Sequence, residues 1–426
     1  MKNTQVLQTE LQNQIYRDLL ADIYIDKEKI QYQTIRYINA LQEYEKAFGS
    51  SEVEIYSAPG RSEIGGNHTD HQHGEVLAAS INNDAIAIVK KLEEPVVKII
   101  SDGYKLITIP LDDLEKKNSE EGTTASLIRG VLAGTREHGY TIGGFQAYVT
   151  SDVLIGAGLS SSAAFETIIG TILSGLYNDM SISAIEIAII GQFAENIYFG
   201  KPCGLMDQMA CSVGSLVHID FANPEKPVVN QVEFDLDGHG YSLCITDTKG
   251  SHADLTADYA AIPEEMKKVA VYFGKEVLRD VTKKELFANL DDIRAAVNDR
   301  AVLRAIHFTE ENERVQKEVS ALQADNFTDF LDTVKASGDS SFKYLQNVYT
   351  NHDVEHQNVS IALAASDSIL GKDGVSRVHG GGFAGTIQAF VKNTTVQEYK
   401  HAMDAIFGEG SCNILKIRKY GGMKVL

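Results

Sequence analysis

The feature that most constrains this chain is a glycine- and serine-rich segment at residues 154–163, with the sequence LIGAGLSSSA. Before it, residues 145–150 alternate apolar and polar side chains, which is typical of a β-strand. After it, residues 163–176 place apolar side chains at helical spacing. The pattern therefore predicts a strand, a glycine-rich loop and a helix whose first N–H groups lack partners within the helix.

Two interpretations of this loop are open. Glycine lets the backbone approach a ligand closely, and the free N–H groups at the positive end of a helix dipole favour an anion such as phosphate. The alternative is a plain serine N-cap behind a glycine-rich turn, because glycine loops before helices are common. The loop by itself does not decide between them.

Length and charge narrow the class of protein. A chain of 426 residues is too long for one ordinary core, so we expect two domains. The net charge of −20 disfavours a nucleic acid or an anionic membrane as partner, because neither would be attracted electrostatically. A small-molecule ligand such as a nucleotide needs only a local positive site and is not excluded.

Cysteine usage and hydropathy favour a cytoplasmic location. The four cysteines, at positions 203, 211, 244 and 412, form no CxxC pair, which fits a reducing compartment and gives no zinc framework. Residues 1–10 are polar and carry no apolar signal core. No apolar run reaches the length that spans a bilayer.

Periodicity suggests a mixed α+β chain in three parts. Residues 1–48 carry two apolar stripes at helical spacing and predict a helical amino-terminal arm. Residues 49–225 and 226–426 are expected to form an N-terminal and a C-terminal domain. Residues 52–57 alternate as a strand, which Pro59 and Gly60 are expected to end in a polar loop through Gly74. Helices do not alternate strictly with strands, so a doubly wound parallel sheet is disfavoured.

The segment at residues 61–74, RSEIGGNHTDHQHG, is dense in polar groups. Arg, Asp and Asn are the side chains that bind hydroxyls and phosphates, so a small polar ligand is one interpretation. A metal site is another, because His68, Asp70, His71 and His73 are all ligand types, although they crowd into one loop without a usual zinc spacing. A solvated loop is the third.

The remaining candidates for a functional site are two carboxylates and one further glycine loop. Asp207 is flanked by apolar residues and would be costly to bury unless an arginine pairs with it; alternatively it is a helix N-cap. Glu195 is a Mg²⁺ ligand or a solvated surface carboxylate. Residues 380–385, GGGFAG, allow a close backbone approach or form a tight turn. The chain has no GxxxxGK[ST] element and no protein-kinase motif set.

Taken together, four segments resemble the galactokinase branch of the GHMP small-molecule kinases. They lie at residues 60–74, 156–163, 203–208 and 380–385, in the order of that family, and the resemblance extends from Phe48 to the last residue. It implies an α+β, two-domain GHMP kinase fold. This fold pairs a ribosomal protein S5 domain 2-like N-terminal domain with a C-terminal α/β sandwich domain, and its active site lies in the cleft between them.

The resemblance also implies roles for individual residues, with ATP and Mg²⁺ as cofactors. Asp207 would be the catalytic carboxylate facing the C1 hydroxyl of the sugar, and Arg61 its charged partner. Ser162 and Glu195 would hold the metal ion. The implied sugar-binding residues are Asn67, His68, Asp70, Gly204 and Tyr259, and the implied ATP-binding residues are Gly156, Ala157, Gly158, Leu159, Ser160, Ser161 and Ser162.

The first motif departs from the family pattern, which has Asn where this chain has Glu63, Glu at Asn67 and Tyr at His71. The expected reaction is transfer of the γ-phosphoryl group of ATP to the anomeric hydroxyl of a hexose, D-galactose, giving α-D-galactose 1-phosphate. Because of Asn67, a GHMP kinase for a different sugar is an alternative. A catalytically weak sugar and ATP sensor is a second.

Overall fold

The computed structural model describes residues 1–154, 158–250 and 255–426. Its strands are β1 (Lys2–Asn3), β2 (Glu52–Gly65), β3 (Glu75–Lys91), β4 (Val96–Ser101), β5 (Ile107–Pro110), β6 (Phe145–Ser151), β7 (Leu216–Asp220), β8 (Val228–Val232), β9 (Tyr241–Asp247), β10 (Gly374–His379), β11 (Thr386–Lys392), β12 (Cys412–Leu415) and β13 (Met423–Lys424). Its α-helices are α1 (Thr4–Gln12), α2 (Arg17–Tyr24), α3 (Ile30–Phe48), α4 (Thr124–Glu137), α5 (Ser161–Tyr177), α6 (Ala184–Phe193), α7 (Met206–Val213), α8 (Thr256–Tyr272), α9 (Lys283–Ala288), α10 (Leu290–Ala296), α11 (Asp299–Gln323), α12 (Phe327–Ser340), α13 (Asn358–Leu370) and α14 (Val396–Phe407).

The strands form two sheets. The first has the order β1-β2-β3-β6-β4-β5, with β7 beside β3, β8 beside β7, and β13 beside β2. Its neighbours are antiparallel except β4 and β6. The second has the order β10-β11-β9-β12 and is antiparallel throughout. Mainly antiparallel sheets with helices packed against them confirm the expected α+β class.

The prediction that Pro59 and Gly60 end the first long strand was wrong. Strand β2 runs on to Gly65, with register shifts against β3 between Pro59 and Arg61 and between Glu63 and Gly65. A β-bulge takes up the irregular residues without ending the pairing, which is how proline and glycine are accommodated here. The consequence is that Arg61 lies on a rigid strand and not in a polar loop.

Helix α5 crosses one face of the first sheet and is the centre of its core. Ile168 and Ile172 of this helix are fully buried, together with Val131 of α4 and Val149 of β6. The helix begins at Ser161, as the apolar periodicity of residues 163–176 predicted. Because the packing fixes the helix axis, it also fixes the direction in which the helix N-terminus points.

The predicted helical arm, residues 1–48, consists of α1, α2 and α3 and packs on the opposite face of the sheet. Leu7, Leu41 and Tyr37 of the arm share a buried core with Ile55 and Ile86 of the sheet. The proposed division at residues 225 and 226 stays a prediction. Strand β8 pairs with β7, so the first sheet continues beyond that point.

Within the described ranges, no helix has the length and apolar character needed to cross a membrane.

Candidate active site

The amino end of α5 opens onto the cleft between the two sheets. Ser160, directly before the helix, has a left-handed backbone with φ of 56°, and Gly158 has φ of 68°. This path turns the chain sharply into the helix, so that the first N–H groups face the cleft. Of the predicted ATP-binding residues, Gly156 and Ala157 lie outside the described part of the chain.

Arg61 and Asp207 meet at this end of the helix, although 146 positions separate them in the sequence. The guanidinium Nε of Arg61 donates to Oδ1 of Asp207 at 2.7 Å, and its Nη1 donates to the carbonyl oxygen of Gly158. The hydroxyl of Ser160 donates to the other carboxylate oxygen of Asp207. One group thus comes from each of three elements: strand β2, the turn before α5, and the first turn of α7.

Helix α7 begins with Leu205 as its N-cap residue, so the alternative that Asp207 is an N-cap is wrong. Its side chain is 29% exposed, while that of Arg61 is 8% exposed. Burial alone would raise the pKa of Asp207, but the charge of Arg61 and the hydrogen bonds outweigh it and lower this pKa. Burial likewise opposes the charge of Arg61, and Asp207 reverses that effect and raises the pKa of the guanidinium.

Ser162 and Glu195 form a second pair beside the first. The hydroxyl of Ser162 donates to Oε1 of Glu195 at 3.2 Å. Glu195 lies in a π-helical turn, Ala194–Phe199, and is only 2% exposed, so the surface alternative is wrong. Lys201 donates to the same oxygen at 3.2 Å, and Gln208 donates to Oε2 at 2.7 Å. A hydroxyl and a carboxylate at this spacing are oxygen donors of the kind that Mg²⁺ takes together with phosphate and water.

The first-motif loop, residues 66–74, brings two predicted sugar-site residues to the cleft. His68 Nε2 lies 3.2 Å from the carbonyl oxygen of Gly381 in the third glycine loop. Burial, and then the neighbouring His71, lower the pKa of His68 to about 4, so its imidazole is neutral at pH 7. The carboxylate of Asp70 occupies the space beside Gly204 where a side chain would stand, so a larger residue there would displace Asp70.

Tyr259 of α8 lies on the other side of the third glycine loop. Its hydroxyl donates to the carbonyl oxygen of Gly382 at 3.0 Å, and its ring meets Phe383 edge-on at 5.2 Å. A Cβ at Gly381 would stand 2.8 Å from the tyrosine ring, so the loop approaches this ring as closely as a backbone can. The close-approach interpretation of the GGGFAG segment therefore fits better than a plain turn.

Asn67 does not face the cleft. It is fully buried, and its amide NH₂ donates to Glu63 Oε1 at 2.9 Å and to the carbonyl oxygen of Gly380 at 2.8 Å. Its amide oxygen accepts from Asn347 at 2.8 Å. Since these bonds use both amide donors and the oxygen, the assignment of Asn67 as a sugar ligand stays a prediction that this geometry weighs against.

No set of three or more His, Cys, Asp or Glu residues suited to a metal occurs in the described ranges. The metal interpretation of His68, Asp70, His71 and His73 therefore has no support there. His71 is turned outwards, with 39% of its side chain exposed.

Sequence reasoning missed three residues around Glu195. Gln208 bridges Glu195 and the buried Glu166, donating to the latter at 3.0 Å. The signal for Glu166 was a single carboxylate on the apolar face of α5, where burial is costly without a partner. Lys201 follows a glycine that ends the π-helical turn, and nothing in its local sequence marks it as the partner of Glu195.

A cavity of about 1130 Å³ opens beside the amino end of α5. Ser161 and Ser162 line one end of it. Its remaining walls come from β3, β6, the loop after β4, the arm, and the helices behind the sheet, including α4. The volume slightly exceeds the roughly 300–1000 Å³ of ordinary small-molecule pockets and is large enough for a nucleotide.

Comparison with known families gives two matches. The model described as the galactokinase galactose-binding signature matches residues 42–91, which contain Arg61 and the first-motif loop. The model described as the GHMP kinases N terminal domain matches residues 126–215, which contain α5, Glu195 and Asp207. The fold and this site define a GHMP-type small-molecule kinase.

Curated relatives and a solved structure extend the match along the chain. The chain is 30% identical over 359 residues to a galactokinase of Glaesserella parasuis, covering 83% of this chain and 89% of that protein. It is 29% identical over 368 residues to a galactokinase of Actinobacillus pleuropneumoniae, covering 85% and 91%. The galactokinase of Lactococcus lactis, solved in complex with galactose, superposes with a TM-score of 0.76 at 25% identity and covers 90% of this chain and 98% of its own. The chain belongs to the galactokinase family, and it is a sugar kinase that transfers phosphate from ATP to a hydroxyl group.

Proposed function

We propose that this chain phosphorylates D-galactose at the anomeric hydroxyl and releases α-D-galactose 1-phosphate and ADP. The observation that carries the proposal is the pair of Arg61 and Asp207, joined at 2.7 Å beside the amino end of α5. An anion held by the helix N-terminus and a hydroxyl held by the carboxylate would meet there.

Asp207 receives the proton in the proposed mechanism. Its lowered pKa keeps it ionised at neutral pH, so it accepts a hydrogen bond from the C1 hydroxyl and orients the oxygen towards the phosphoryl group. A carboxylate with a lowered pKa is a weak base, so the proton transfers only as the new P–O bond forms and the hydroxyl becomes more acidic. The carboxylate has lone pairs left for this bond beside those that Arg61 and Ser160 use.

Arg61 serves both partners of the reaction. Its Nε holds Asp207, and its remaining N–H groups carry positive charge towards the amino end of α5, where the transferring group would lie. Phosphoryl transfer depends on positioning and on charge neutralisation, with little covalent chemistry for the protein to supply. The guanidinium stays charged because Asp207 raises its pKa.

Ser162 and Glu195 would hold Mg²⁺ together with the phosphates of ATP. Their donor atoms, one hydroxyl and one buried carboxylate, fit that ion, which keeps several water and phosphate ligands of its own. Bound there, the ion would neutralise charge on the phosphate oxygens. Lys201 contacts Oε1 of Glu195 at 3.2 Å from the solvent side.

The sugar would lie between Asp207 and the third glycine loop. Asp70 and Gly204 stand on the side of α7, and His68 and Tyr259 stand at the glycine loop. Asp70 is a hydrogen-bond acceptor for hydroxyls, and the neutral His68 can donate or accept. This arrangement supports a hexose as acceptor.

The test is ADP release with Mg·ATP against a panel of hexoses, pentoses and uronic acids, followed by phosphorus NMR of the product. Turnover of galactose with phosphate on C1 is the expected result. Turnover of another sugar in place of galactose would overturn the substrate and keep the chemistry. The inward position of Asn67 is the observation that motivates this second candidate. Sugar binding without any turnover would favour the sensor alternative.

A further inference from the structure

The arm supplies part of the wall of the cavity beside α5. Four of its side chains line that cavity: Tyr24, Lys29, Tyr32 and Gln33. The sheet and the helices behind it supply the remaining walls, and the two serines at the start of α5 mark the end where phosphates would bind. A nucleotide whose phosphates lie at α5 would extend its base along the cavity, away from those serines.

Tyr32 is the residue of the arm best suited to meet such a base. It lies in the first turn of α3 and is 52% exposed although it lines a cavity. An exposed aromatic face on a concave wall is typical of a binding surface, because the ring offers a large flat contact area at low cost in side-chain entropy. Every nucleobase presents a π-face of the same kind.

Tyr32 is held in place by its hydroxyl. The hydroxyl donates to Oδ1 of Asp152 at 3.0 Å, and Arg36, one turn further along α3, lies 3.3 Å from the other oxygen of Asp152. Asp152 itself lines the cavity. The ring is therefore oriented from its polar end, while its faces remain available.

The arm is anchored to the sheet by a buried charge network. Arg36 donates to Oδ1 of Asp84 at 2.6 Å, and Arg418 and Tyr24 each reach the other oxygen of Asp84 at 2.9 Å. Asp84 is fully buried on β3, next to cavity-lining residues of the same strand. Such a network holds α3 against the sheet as a rigid wall, since moving it would leave buried charges without partners.

We propose that the arm forms one wall of the nucleotide site and that the ring of Tyr32 packs against the purine base of ATP. The inference rests on the proposed function for the identity of the nucleotide. It adds a nucleotide-binding residue outside the four motifs, and it gives the arm a role in the reaction.

The chain contains no tryptophan, so Tyr32→Trp places a single indole at this position. We expect ADP to change the fluorescence of that indole along a saturable curve, because the base would lie against it. Inorganic tripolyphosphate, which has no base, is expected to leave the signal unchanged. The matched control is Ile35→Trp, on the same helix and similarly exposed at 47% but outside the cavity lining.

Tyr32→Ala tests the same contact by affinity. We expect the dissociation constant for ADP, measured by calorimetry, and the KM for ATP to rise about tenfold, which is the scale of one base–aromatic stack. Tyr32→Phe keeps the ring but loses the hydrogen bond that orients it, so its loss should be smaller than that of Tyr32→Ala. Ile35→Ala should stay within about twofold of the unchanged chain, and the affinity for tripolyphosphate should not change in any of these variants. Thermal unfolding of each variant checks that it is folded.

Three results would overturn the inference. The first is an indole signal in Tyr32→Trp that ADP does not change. The second is an equal loss of ADP and tripolyphosphate affinity in Tyr32→Ala, which would mean that Tyr32 acts through the phosphate end. The third is a loss in Tyr32→Phe as large as that in Tyr32→Ala, which would assign the effect to the bond with Asp152. If ADP binding responds as expected but no sugar is turned over, the proposed function is refuted and this inference is retained.

Discussion

Two groups of polar and ionisable residues include members of the first motif, and one group faces the cleft while the other faces the protein interior. The cleft pair is Arg61 with Asp207, whose carboxylate side chain is 29% exposed. The interface cluster lies on the other side of the same motif, between β2, α11 and β10, and consists of Glu63, Asn67, Glu311, Arg314, Glu318 and Arg377.

In the interface cluster, the charged groups form their contacts with other groups of the protein. Glu311 is fully buried and accepts from Arg314 at 2.6 Å and from the backbone N–H groups of Gly66 and Asn67 at 3.2 and 3.3 Å. Burial alone would raise the pKa of Glu311, but the charge of Arg314 and further partners lower it to about 2. One set of charges thus holds the loop in shape, and the other is left open to a ligand. The comparison teaches that a carboxylate's role here follows from the side of the motif it faces.

The largest expected effect is on turnover and comes from the cleft pair. Asp207→Asn keeps the size of the side chain but removes the acceptor of the sugar proton. We expect kcat to fall by about 10²–10⁴-fold, the range for loss of a positioned acid–base group. Calorimetric binding of ADP serves as the control and should be unchanged. Full turnover in this variant would show that the cleft pair is structural, like the interface cluster.

Breaking an ion pair of the interface cluster is expected to lower the stability of the fold. Glu311→Ala removes the closest carboxylate contact of the buried Arg314, leaving it Glu310 at 3.6 Å, and frees two backbone N–H groups of the first-motif loop. We expect the free energy of unfolding to fall by about 3–5 kcal/mol, as for other broken buried ion pairs. Denaturant unfolding measures it.

Glu313→Ala is the matched control, on the same helix and with an exposed pairing to Lys283 at 3.2 Å. This variant should lower the free energy of unfolding by about 1 kcal/mol or less. A similar loss in both variants would mean that the cluster stabilises no more than a surface pair does, and the contrast between the two regions would disappear.

The sequence predicted the four motifs and the elements that carry them, but it did not predict which way each polar side chain faces. Helices α5 and α14 begin and end close to where apolar periodicity placed them, because that signal is local. The orientation of Asn67 depends on Glu63, and Glu63 depends on Arg377, which lies 314 positions away. Hydropathy gives no information on such a partner. For the same reason, hydropathy did not indicate that Glu195 is buried.

Glu318 offers a further contrast, because it is a buried carboxyl that makes no ion pair with any residue the structure describes. Within the described residues neither of its oxygens has a hydrogen-bond partner, and Oε2 lies against the α-carbon of Gly65, where no Cβ would fit. Burial, and then the charge of Glu311, raise the pKa of Glu318 well above its ordinary value, although Arg377 opposes them. The folded chain therefore favours the protonated form of Glu318 more strongly than the unfolded chain does.

The pH dependence of stability follows from this raised pKa. In the unfolded chain the carboxyl loses its proton near its ordinary pKa of about 4.3, while the folded chain keeps the proton to a higher pH. The folded state then binds more protons, so the free energy of unfolding falls as the pH rises above this value, by about 1.4 kcal/mol for each pH unit up to the raised pKa. Glu318→Gln removes the titrating group.

We expect Glu318→Gln to match the unchanged chain near pH 4 and to be the more stable of the two as the pH rises. Denaturant unfolding at a series of pH values measures the difference. Glu313→Gln, an exposed change on the same helix, is the control and should show no such slope. A constant difference between pH 4 and pH 8 would mean that Glu318 ionises normally in the folded chain.

The smallest expected effect tests whether Ser162, which pairs with Glu195 in the cleft, binds a metal ion or only caps a helix. Ser162→Ala removes a hydroxyl that would bind Mg²⁺ with Glu195, and losing one contact to a charged group costs about 1.5–3 kcal/mol. The Mg²⁺ concentration that half-saturates turnover should therefore rise about tenfold or more. Ser183→Ala is the control, because that hydroxyl caps α6 by accepting from the N–H of Glu186 at 3.2 Å. It should lower stability by about 1 kcal/mol and leave the Mg²⁺ titration unchanged. If both serines changed only stability, Ser162 would be a capping residue, and the metal site would have to be sought elsewhere around Glu195.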